Sequence, residues 1–301
     1  MAVSNPSGLT INNPQTGIQY TKVTDSSTDW VNVAISTYFY DIASAQVYYK
    51  NGVGTIINAY EIPFSNFEIY RGISFNNNST TVILDGGVTT STTATVTAQS
   101  VASTTFASKQ IRLRYSGTVV SAGRYTGVRG TALLWFIGGG FRYVCDFSIS
   151  DTAYGSGCRQ FYGLASQITD LAYSDSALVT GTLNCIGVGS DALDTNLQVF
   201  YNDATGAASK IDLGVDFPAN RTAGAALTTV YSVTLYNGFS SGNVIYHVKN
   251  NETGAIAQGL LTTDLPASTL GLNFFASRCM GAGITNTGQF DLSKLGVYSL
   301  L

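Results

Sequence analysis

Side chains that could bind a ligand are concentrated in one acidic stretch of the chain. The candidates are Asp191, Asp194, Asn196, Asn202 and Asp203. Carboxylate and amide oxygens coordinate calcium when several of them gather on one loop, and they also form hydrogen bonds with sugar hydroxyl groups. The same residue types form tight turns for purely local reasons. We expect turns and a sugar-contacting surface here, without a metal ion or another cofactor.

Tyrosine could complete such a surface, because an aromatic ring can cover the apolar face of a sugar. The chain contains 18 tyrosines, and most of them are expected to pack in the core. The candidates in turn-rich segments are Tyr154, Tyr173, Tyr201 and Tyr236. Of these, Tyr154 and Tyr201 join the candidate glycan-binding residues.

Catalytic chemistry has little support in the sequence. The single histidine is His247, which alternation places on the strand face opposite to Val244, Tyr246 and Val248. No GxSxG motif is present to supply a serine nucleophile for it. Glycosidases need two carboxylates across a cleft, and no paired-Glu motif occurs. We expect no enzymatic activity. The alternative is a polysaccharide depolymerase, since residues 146–216 contain nine aspartates.

The cysteines do not follow the spacing of a metal site. They are Cys145, Cys158, Cys185 and Cys279. None of them forms a CxxC pair, and no histidine lies near them in the sequence, so a zinc site is not expected. Free cysteines are often buried. The sequence predicts buried free thiols, while disulfides would require the sites to meet in space in an oxidising environment.

The charge of the chain argues against nucleic-acid binding. The formal net charge is −3, whereas a surface that neutralises phosphates needs a clear excess of Lys and Arg. Residues 86–145 contain cations and no acid, and the aspartates follow in residues 146–216. Either the two parts pair within the fold or between subunits, or the acidic part forms a ligand-binding surface. We expect no membrane span and no secretion signal in the initial MAVSNPSG.

Composition and periodicity indicate an all-β protein. Only 11% of the residues are charged, fewer than the solvent-facing sides of long helices usually require. The abundant Thr, Val, Ile, Tyr and Phe favour strands. The clearest strand covers residues 141–149, where Phe141, Tyr143, Cys145, Phe147 and Ile149 form one alternating row. This period of two predicts a half-buried strand, which we expect the glycines at 138–140 to precede with a bend.

Three segments follow from the same patterns. Residues 1–86 contain short apolar runs between turn signals and predict a smaller β-rich N-terminal region. Residues 87–108 form an uncharged Thr/Ser/Ala tract that we interpret as a linker, although Thr and Val also permit a strand. Residues 109–301 contain about ten candidate strands, including an apolar run at 132–137, a spacing typical of a β-sandwich or jelly roll.

Four stretches of the last segment resemble the lectin-like domain of bacteriophage tail and head fibres. They are RYTGVRGTALLW (124–135), GGGFRYVCDFSISDTAYGSGCRQFYGL (138–164), NCIGVGSDALDTNLQVFYNDATGAASKIDLGVDFPAN (184–220) and TTDLPAST (262–269). They occur in the same order and at a similar spacing to the family pattern. The resemblance covers about 109–301 and implies a concanavalin-A-like jelly roll.

The resemblance also implies a location and a role. In such fibres the N-terminal part usually docks on the virion, so residues 1–86 are expected to contact other virion proteins. By analogy, the chain is expected to form a homotrimer on the virion surface and to bind a host-surface glycan through residues 109–301, as a fibre or spike. The alternatives are a purely structural head-fibre, decoration or capsid-associated protein without a ligand, and a free-standing bacterial lectin or adhesin.

Overall fold

A computed structural model gives the fold of the chain. It describes residues 10–12, 19–23, 37–41, 46–50, 56–58, 69–72, 88–90, 94–117, 125–151, 158–169, 171, 183–221, 227–279 and 288–299, with side chains mainly from residue 96 onward. The chain divides into two compact units. One comprises Met1–Glu68 with Leu300–Leu301, and the other comprises Ile69–Ser299.

The described strands of the first unit form one five-stranded sheet. They are β1 (Thr10–Asn12), β2 (Gln19–Val23), β3 (Thr37–Asp41), β4 (Gln46–Lys50) and β5 (Ile56–Asn58). Their order in the sheet follows the sequence, and β2 pairs with β3 in parallel while the other neighbours are antiparallel. The N-terminal region is therefore β-rich, as predicted.

The second unit is also built from strands, with one short 3-10 turn at Ala107–Lys109. Its described strands are β6 (Ile69–Gly72), β7 (Val88–Thr90), β8 (Ala94–Gln99), β9 (Arg112–Gly117), β10 (Tyr125–Gly130), β11 (Gly139–Ile149), β12 (Arg159–Ala165), β13 (Asn184–Ser190), β14 (Gln198–Asp203), β15 (Ser209–Asp212), β16 (Tyr231–Phe239), β17 (Val244–Asn250), β18 (Ile256–Leu261), β19 (Asn273–Cys279) and β20 (Gly288–Ser299).

These strands form two antiparallel sheets that pack into a β-sandwich. The seven-stranded sheet has the order β15-β14-β13-β12-β19-β10-β7, and the eight-stranded sheet has the order β18-β17-β16-β11-β20-β9-β8, with β6 also paired to β20. One hydrophobic core contains residues of both sheets, and the rings of Phe147 in β11 and Tyr162 in β12 stack across it. The Tyr143 hydroxyl donates to the carbonyl oxygen of Phe275 at 3.0 Å. The predicted all-β sandwich is confirmed.

Strand β11 lies at the centre of the eight-stranded sheet and follows the predicted alternation. Its alternating row, from Phe141 to Ile149, lies entirely in the core between the sheets. Burial of one large apolar side chain stabilises the fold by about 1.5–3 kcal/mol. The expectation of a half-buried strand is wrong, because Arg142, Val144 and Ser148 on the other face are also buried. The neighbours β16 and β20 pair with β11 along almost its whole length, so neither edge of β11 is open.

A second hydrophobic cluster covers the opposite face of the seven-stranded sheet. It comprises Phe161, Ala165, Leu171, Cys185, Phe200, Phe275 and Cys279. All of these residues are at most 2% exposed. The central strands of this sheet are consequently buried on both faces, which explains why their sequences contain few charges.

The Thr/Ser-rich tract contributes strands to the sandwich. Strand β7 pairs with β10, and β8 pairs with β9. The boundary between the two compact units falls at residues 68/69, whereas the sequence interpretation placed a linker at 87–108. The β-branched threonines and valines of the tract explain the difference, since they suit a pleated sheet as well as an extended linker.

The apolar run at 132–137 is not a strand. Trp135 forms an isolated bridge with Leu272 and is buried, while Leu133, Leu134 and Phe136 are each more than 40% exposed. The glycines that follow do bend the chain, as predicted. Gly138 and Gly140 have φ angles of 84° and 73°, a left-handed conformation that costs glycine little.

The four cysteines are buried free thiols, as predicted from their spacing. Burial raises the pKa of the Cys145 and Cys185 thiols well above their usual range. It also raises the pKa of Cys279 to about 11, against a smaller opposing influence of Arg159. Within the described ranges, no helix is long and apolar enough to cross a membrane.

Candidate functional site

Two loops lie side by side at one end of the seven-stranded sheet, and we call them the loop edge. The first loop, residues 191–197, joins β13 to β14, and the second, residues 213–219, follows β15. Backbone hydrogen bonds join them: the Leu197 amide donates to the Phe217 carbonyl at 2.7 Å and the Ala219 amide donates to the Thr195 carbonyl at 2.9 Å. The loop edge is therefore supported by the sheet rather than by side-chain packing alone.

A lysine pairs with the first two aspartates of the loop edge. Lys210 of β15 forms ion pairs with Asp191 and Asp194, and its Nζ lies 3.1 Å from Asp194 Oδ2. Partial burial lowers the pKa of Lys210, but hydrogen bonds and charge attraction from the two carboxylates outweigh it, so the net pKa is raised. The ammonium also lies 5.0 Å from the ring centroid of Phe200. The protein's own cation therefore sits between the two predicted ligand residues.

A second polar pair lies on the solvent-facing side of the same edge. The Asn196 amide donates to Asp212 Oδ1 at 3.1 Å, and the backbone N–H of Gly214 donates to the same oxygen at 2.8 Å. The Gly214 hydrogen bond is the main reason why the pKa of Asp212 is lowered. Asp212 is exposed and remains an anionic acceptor at neutral pH.

Two apolar side chains project from the loop edge into solvent. Leu193 is 90% exposed and Val215 is 85% exposed, the highest values among the large exposed hydrophobic residues of the described chain. One is on each of the two joined loops, on either side of the Asn196–Asp212 pair in sequence. With the exposed Asp216, the edge combines apolar tips, an amide and carboxylates.

The remaining candidates, Asn202 and Asp203, lie at the other end of β14, where the turn to β15 begins. The Asp203 carboxylate accepts hydrogen bonds from Thr205, which lower its pKa. The Asp203 amide donates to Asp264 Oδ1 at 3.1 Å. The Asn202 side chain is fully buried and accepts from the Ala204 amide at 3.0 Å. These contacts are those of a tight turn.

The structure therefore brings together only part of the predicted site. Asp191, Asp194 and Asn196 lie on the loop edge, as one group. Asn202 and Asp203 lie about 17 Å away, the length of the intervening strand at 3.4 Å per residue. They cannot contact the same sugar ring as the first three residues.

The tyrosine candidates do not form a stacking surface in the described chain. Tyr201 packs against the sandwich core instead of facing solvent, because strand alternation turns it inward. Tyr236 lies in β16 of the other sheet, opposite Arg142 and Ile245. Tyr154 and Tyr173 lie outside the described residues. His247 is 7% exposed in β17, and Val244, Tyr246 and Val248 face the core, as predicted.

Sequence reasoning missed Lys210 and Asp212. Both belong to β15, a strand of four residues that is too short to give a clear periodic signal. A signal did exist, since Lys210 is one of two basic residues among nine aspartates in residues 146–216. A lone cation in an acidic segment is a good candidate for an internal counter-ion.

The arrangement can accept hydrogen bonds from hydroxyl groups and can contact an apolar surface. In the part of the chain that the structure describes, no group of three or more His, Cys, Asp or Glu side chains could hold a metal ion. At Asp191 and Asp194 the carboxylates already have a cationic partner, Lys210.

Comparison with known proteins gives only distant similarities to solved structures. No protein-family model and no curated protein matches the chain. Similar solved structures include peanut lectin with a nine-residue peptide (14% identity, 76% of this chain and 95% of that chain, TM-score 0.48). Arcelin-5, a lectin-like defence protein from Phaseolus vulgaris, is 7% identical to this chain. The match covers 71% of this chain and 97% of that chain, with a TM-score of 0.43. A third is a carbohydrate esterase from the Shiga toxin-encoding bacteriophage phi24B, which is 15% identical. The match covers 71% of this chain and 90% of that chain, with a TM-score of 0.38. At these identities and TM-scores the likeness carries no conclusion about binding or catalysis.

Proposed function

We propose that the chain is a non-enzymatic surface protein of a bacteriophage particle, a fibre or spike, whose sandwich unit binds a host-surface glycan. The observation that carries the proposal is the loop edge. It presents the Asn196–Asp212 pair next to two apolar side chains, Leu193 and Val215, that are almost fully exposed. In this proposal the two side chains together form the apolar contact surface and the polar pair forms its rim, the composition of an interaction site.

A sugar has both kinds of complementary surface. Its hydroxyl groups donate to carboxylates and exchange hydrogen bonds with amides, and its C–H faces pack against aliphatic groups. The loop edge and the adjoining strand β15 together contain four aspartates (Asp191, Asp194, Asp212 and Asp216) and one lysine, Lys210. Like charges repel at short range, so this edge suits a neutral or amino-bearing glycan better than an acidic one.

The location on a virion rests on the resemblance of the sequence to phage fibre domains. The resembling stretches correspond to structural parts of the sandwich: residues 138–164 include β11 and β12, and residues 184–220 include β13, β14, β15 and both loops of the edge. In this proposal residues 1–86 contact other virion proteins, and the chain assembles as a homotrimer.

Two experiments test the location and the role. Antibody labelling of intact particles should mark the virion surface, and the purified chain should bind host cells and inhibit infection by occupying their glycan. If the antibody labels the particles but the purified chain neither binds cells nor inhibits infection, the chain is a structural decoration protein. Release of reducing sugar from host capsule would instead show a depolymerase and would overturn the non-enzymatic proposal.

A further inference from the structure

The second loop of the loop edge is held by side chains of the sandwich itself. Three of its backbone carbonyl groups each accept a hydrogen bond from a buried side-chain donor. These bonds run from the Asn250 amide to Asp216 at 2.7 Å, from the Tyr231 hydroxyl to Pro218 at 3.0 Å and from the Gln160 amide to Ala219 at 2.7 Å. The donors are at most 3% exposed. They belong to β17, β16 and β12, so both sheets hold this loop.

The Tyr231 hydroxyl acts on the proposed binding pair through a single residue. Its acceptor, Pro218, forms a β-bridge with Asn196 of the first loop, through the two backbone hydrogen bonds that join the loops. The Asn196 side chain in turn donates to Asp212. The buried Phe217 packs its ring beside that of Tyr231, with the ring centroids 6.3 Å apart. Tyr231 therefore supports both loops from below, and it lies outside the surface that a ligand would contact.

Three buried donors give the loop one strongly preferred position. A buried amide or hydroxyl group costs free energy unless it forms a hydrogen bond. If the second loop moved away from the sheets, all three donors would lose these carbonyl acceptors together. Surface loops are usually more mobile than the elements they connect, whereas this loop can move only by breaking bonds to both sheets. The binding pair and the exposed tips are therefore presented at a fixed spacing.

We infer that Gln160, Tyr231 and Asn250 are positioning residues of the loop edge, which fix its two loops in the binding geometry before a glycan arrives. The inference rests on the proposed glycan-binding function of this edge. A preorganised surface loses less conformational freedom when it binds, and sites are precise when buried neighbours lock their supporting groups. Loss of one of these donors should therefore weaken glycan binding without removing any group that touches the sugar.

Two tyrosines of the core provide a matched pair of variants. Tyr231→Phe removes the hydroxyl that holds Pro218 and keeps the ring in place. Tyr143→Phe is the control, because the Tyr143 hydroxyl donates to the Phe275 carbonyl at the same distance of 3.0 Å, but in β19 and not in the loop edge. Both tyrosines are buried. Each variant loses one hydroxyl–carbonyl hydrogen bond, so both should fold and should lower the melting temperature by a similar amount.

Hydrogen–deuterium exchange of the full chain without ligand tests the positioning role independently of any glycan. The backbone amides of Leu197 and Ala219 close the contact between the two loops. Both should exchange about fivefold faster in Tyr231→Phe than in the wild type, the effect of one lost hydrogen bond of ordinary strength. In Tyr143→Phe they should exchange at the wild-type rate. Unchanged exchange in Tyr231→Phe, or an equal increase in both variants, would overturn the inference.

Binding to immobilised glycans gives the functional readout for the same two variants. Tyr231→Phe should bind the glycans that the wild type selects about fivefold more weakly, and Tyr143→Phe should bind them like the wild type, although both variants share the loss of stability. If the wild type binds glycan and Tyr231→Phe binds it equally well, the positioning role is wrong while the proposed function stands. If the wild type binds no glycan, the proposed function fails and the positioning role fails with it.

Discussion

Arg278 and Asp151 form an ion pair that is completely enclosed between the two sheets. Arg278 is 0% exposed and Asp151 is 2% exposed, and the Arg278 Nε lies 3.0 Å from Asp151 Oδ2. Arg278 also donates to Gln160 Oε1 at 2.8 Å, while the Gln160 amide donates to the Ala219 carbonyl at 2.7 Å. The network thus connects the segment that follows β11 with β12, β19 and the second loop of the edge.

Removing one partner of this pair should be severely destabilising. Asp151→Asn leaves the Arg278 charge buried without its counter-ion, and we expect a loss of about 3–5 kcal/mol in the free energy of unfolding. Replacing both partners with apolar residues, as in Asp151→Leu/Arg278→Met, should cost much less. Urea unfolding measures both values. The control is Asp216→Asn at an exposed position, whose free energy of unfolding should stay within about 0.5 kcal/mol of the wild-type value. Equal losses for the single and double variants would contradict this account.

The buried thiols should make the sandwich less stable in alkali. Burial raises the pKa of Cys279 to about 11 and that of Cys145 further, whereas unfolded thiols ionise near about 8.5. Above that pH the unfolded state binds fewer protons than the folded state, so stability falls as pH rises, by up to about 1.4 kcal/mol per pH unit for each thiol. The Cys279 contribution ends near pH 11. The free energy of unfolding of the wild type and of Cys145→Ala should be measured between pH 8 and 10. If it falls with pH at the same slope in both proteins, Cys145 has no role in the effect.

Lys210 should prevent calcium from binding at the loop edge. Its ammonium group pairs with both Asp191 and Asp194, so we expect no change in the melting temperature of the wild-type chain when calcium is added. Lys210→Met leaves two neighbouring carboxylates without their cation and should lower stability by about 1 kcal/mol, and added calcium should recover part of this loss. Lys210→Arg should behave like the wild type. A rise in the melting temperature of the wild type on addition of calcium would contradict the role of Lys210 as the counter-ion of Asp191 and Asp194.

The exposed tips Leu193 and Val215 should contribute to binding and not to folding. They are 90% and 85% exposed, so Leu193→Ser/Val215→Ser should change the free energy of unfolding by no more than about 0.5 kcal/mol. The same variant should weaken binding to host cells several-fold, because it removes the apolar contact surface. Unchanged binding in a cell-adsorption assay would remove these residues from the site.

Sequence periodicity was sufficient for the central strands of the sandwich, but not for the run at 132–137, the strands at 88–99 or the site. The row from Phe141 to Ile149 predicts one buried face because alternation and burial follow from the same backbone geometry, whereas the burial of the second face could not be predicted from it. The Asn196–Asp212 pair could not be predicted, since it depends on the position of β15, which is too short to show a period. Tyr201 was assigned to the surface because a turn follows it, yet its place in the alternation of β14 directs it inward.

Contacts between distant segments explain the other differences. The amide of Asp203 donates to Asp264 at a sequence separation of 61 residues, a contact that no local pattern encodes. Aspartate density alone suggested one site, although β14 separates the acidic residues into two groups at its ends. Lys210 was visible as one of two cations among nine aspartates, but its partners became clear only from the register of β15 with β14.

Glycan-array binding of matched variants tests the central claim most directly. Wild-type chain should bind a set of neutral or amino-bearing glycans, and Asp212→Asn should weaken that binding at least about tenfold, equivalent to 1.4 kcal/mol. Asp203→Asn, at the opposite end of β14, should bind like the wild type. If the wild-type chain binds no glycan, or if Asp203→Asn loses as much binding as Asp212→Asn, the loop edge is not the glycan site.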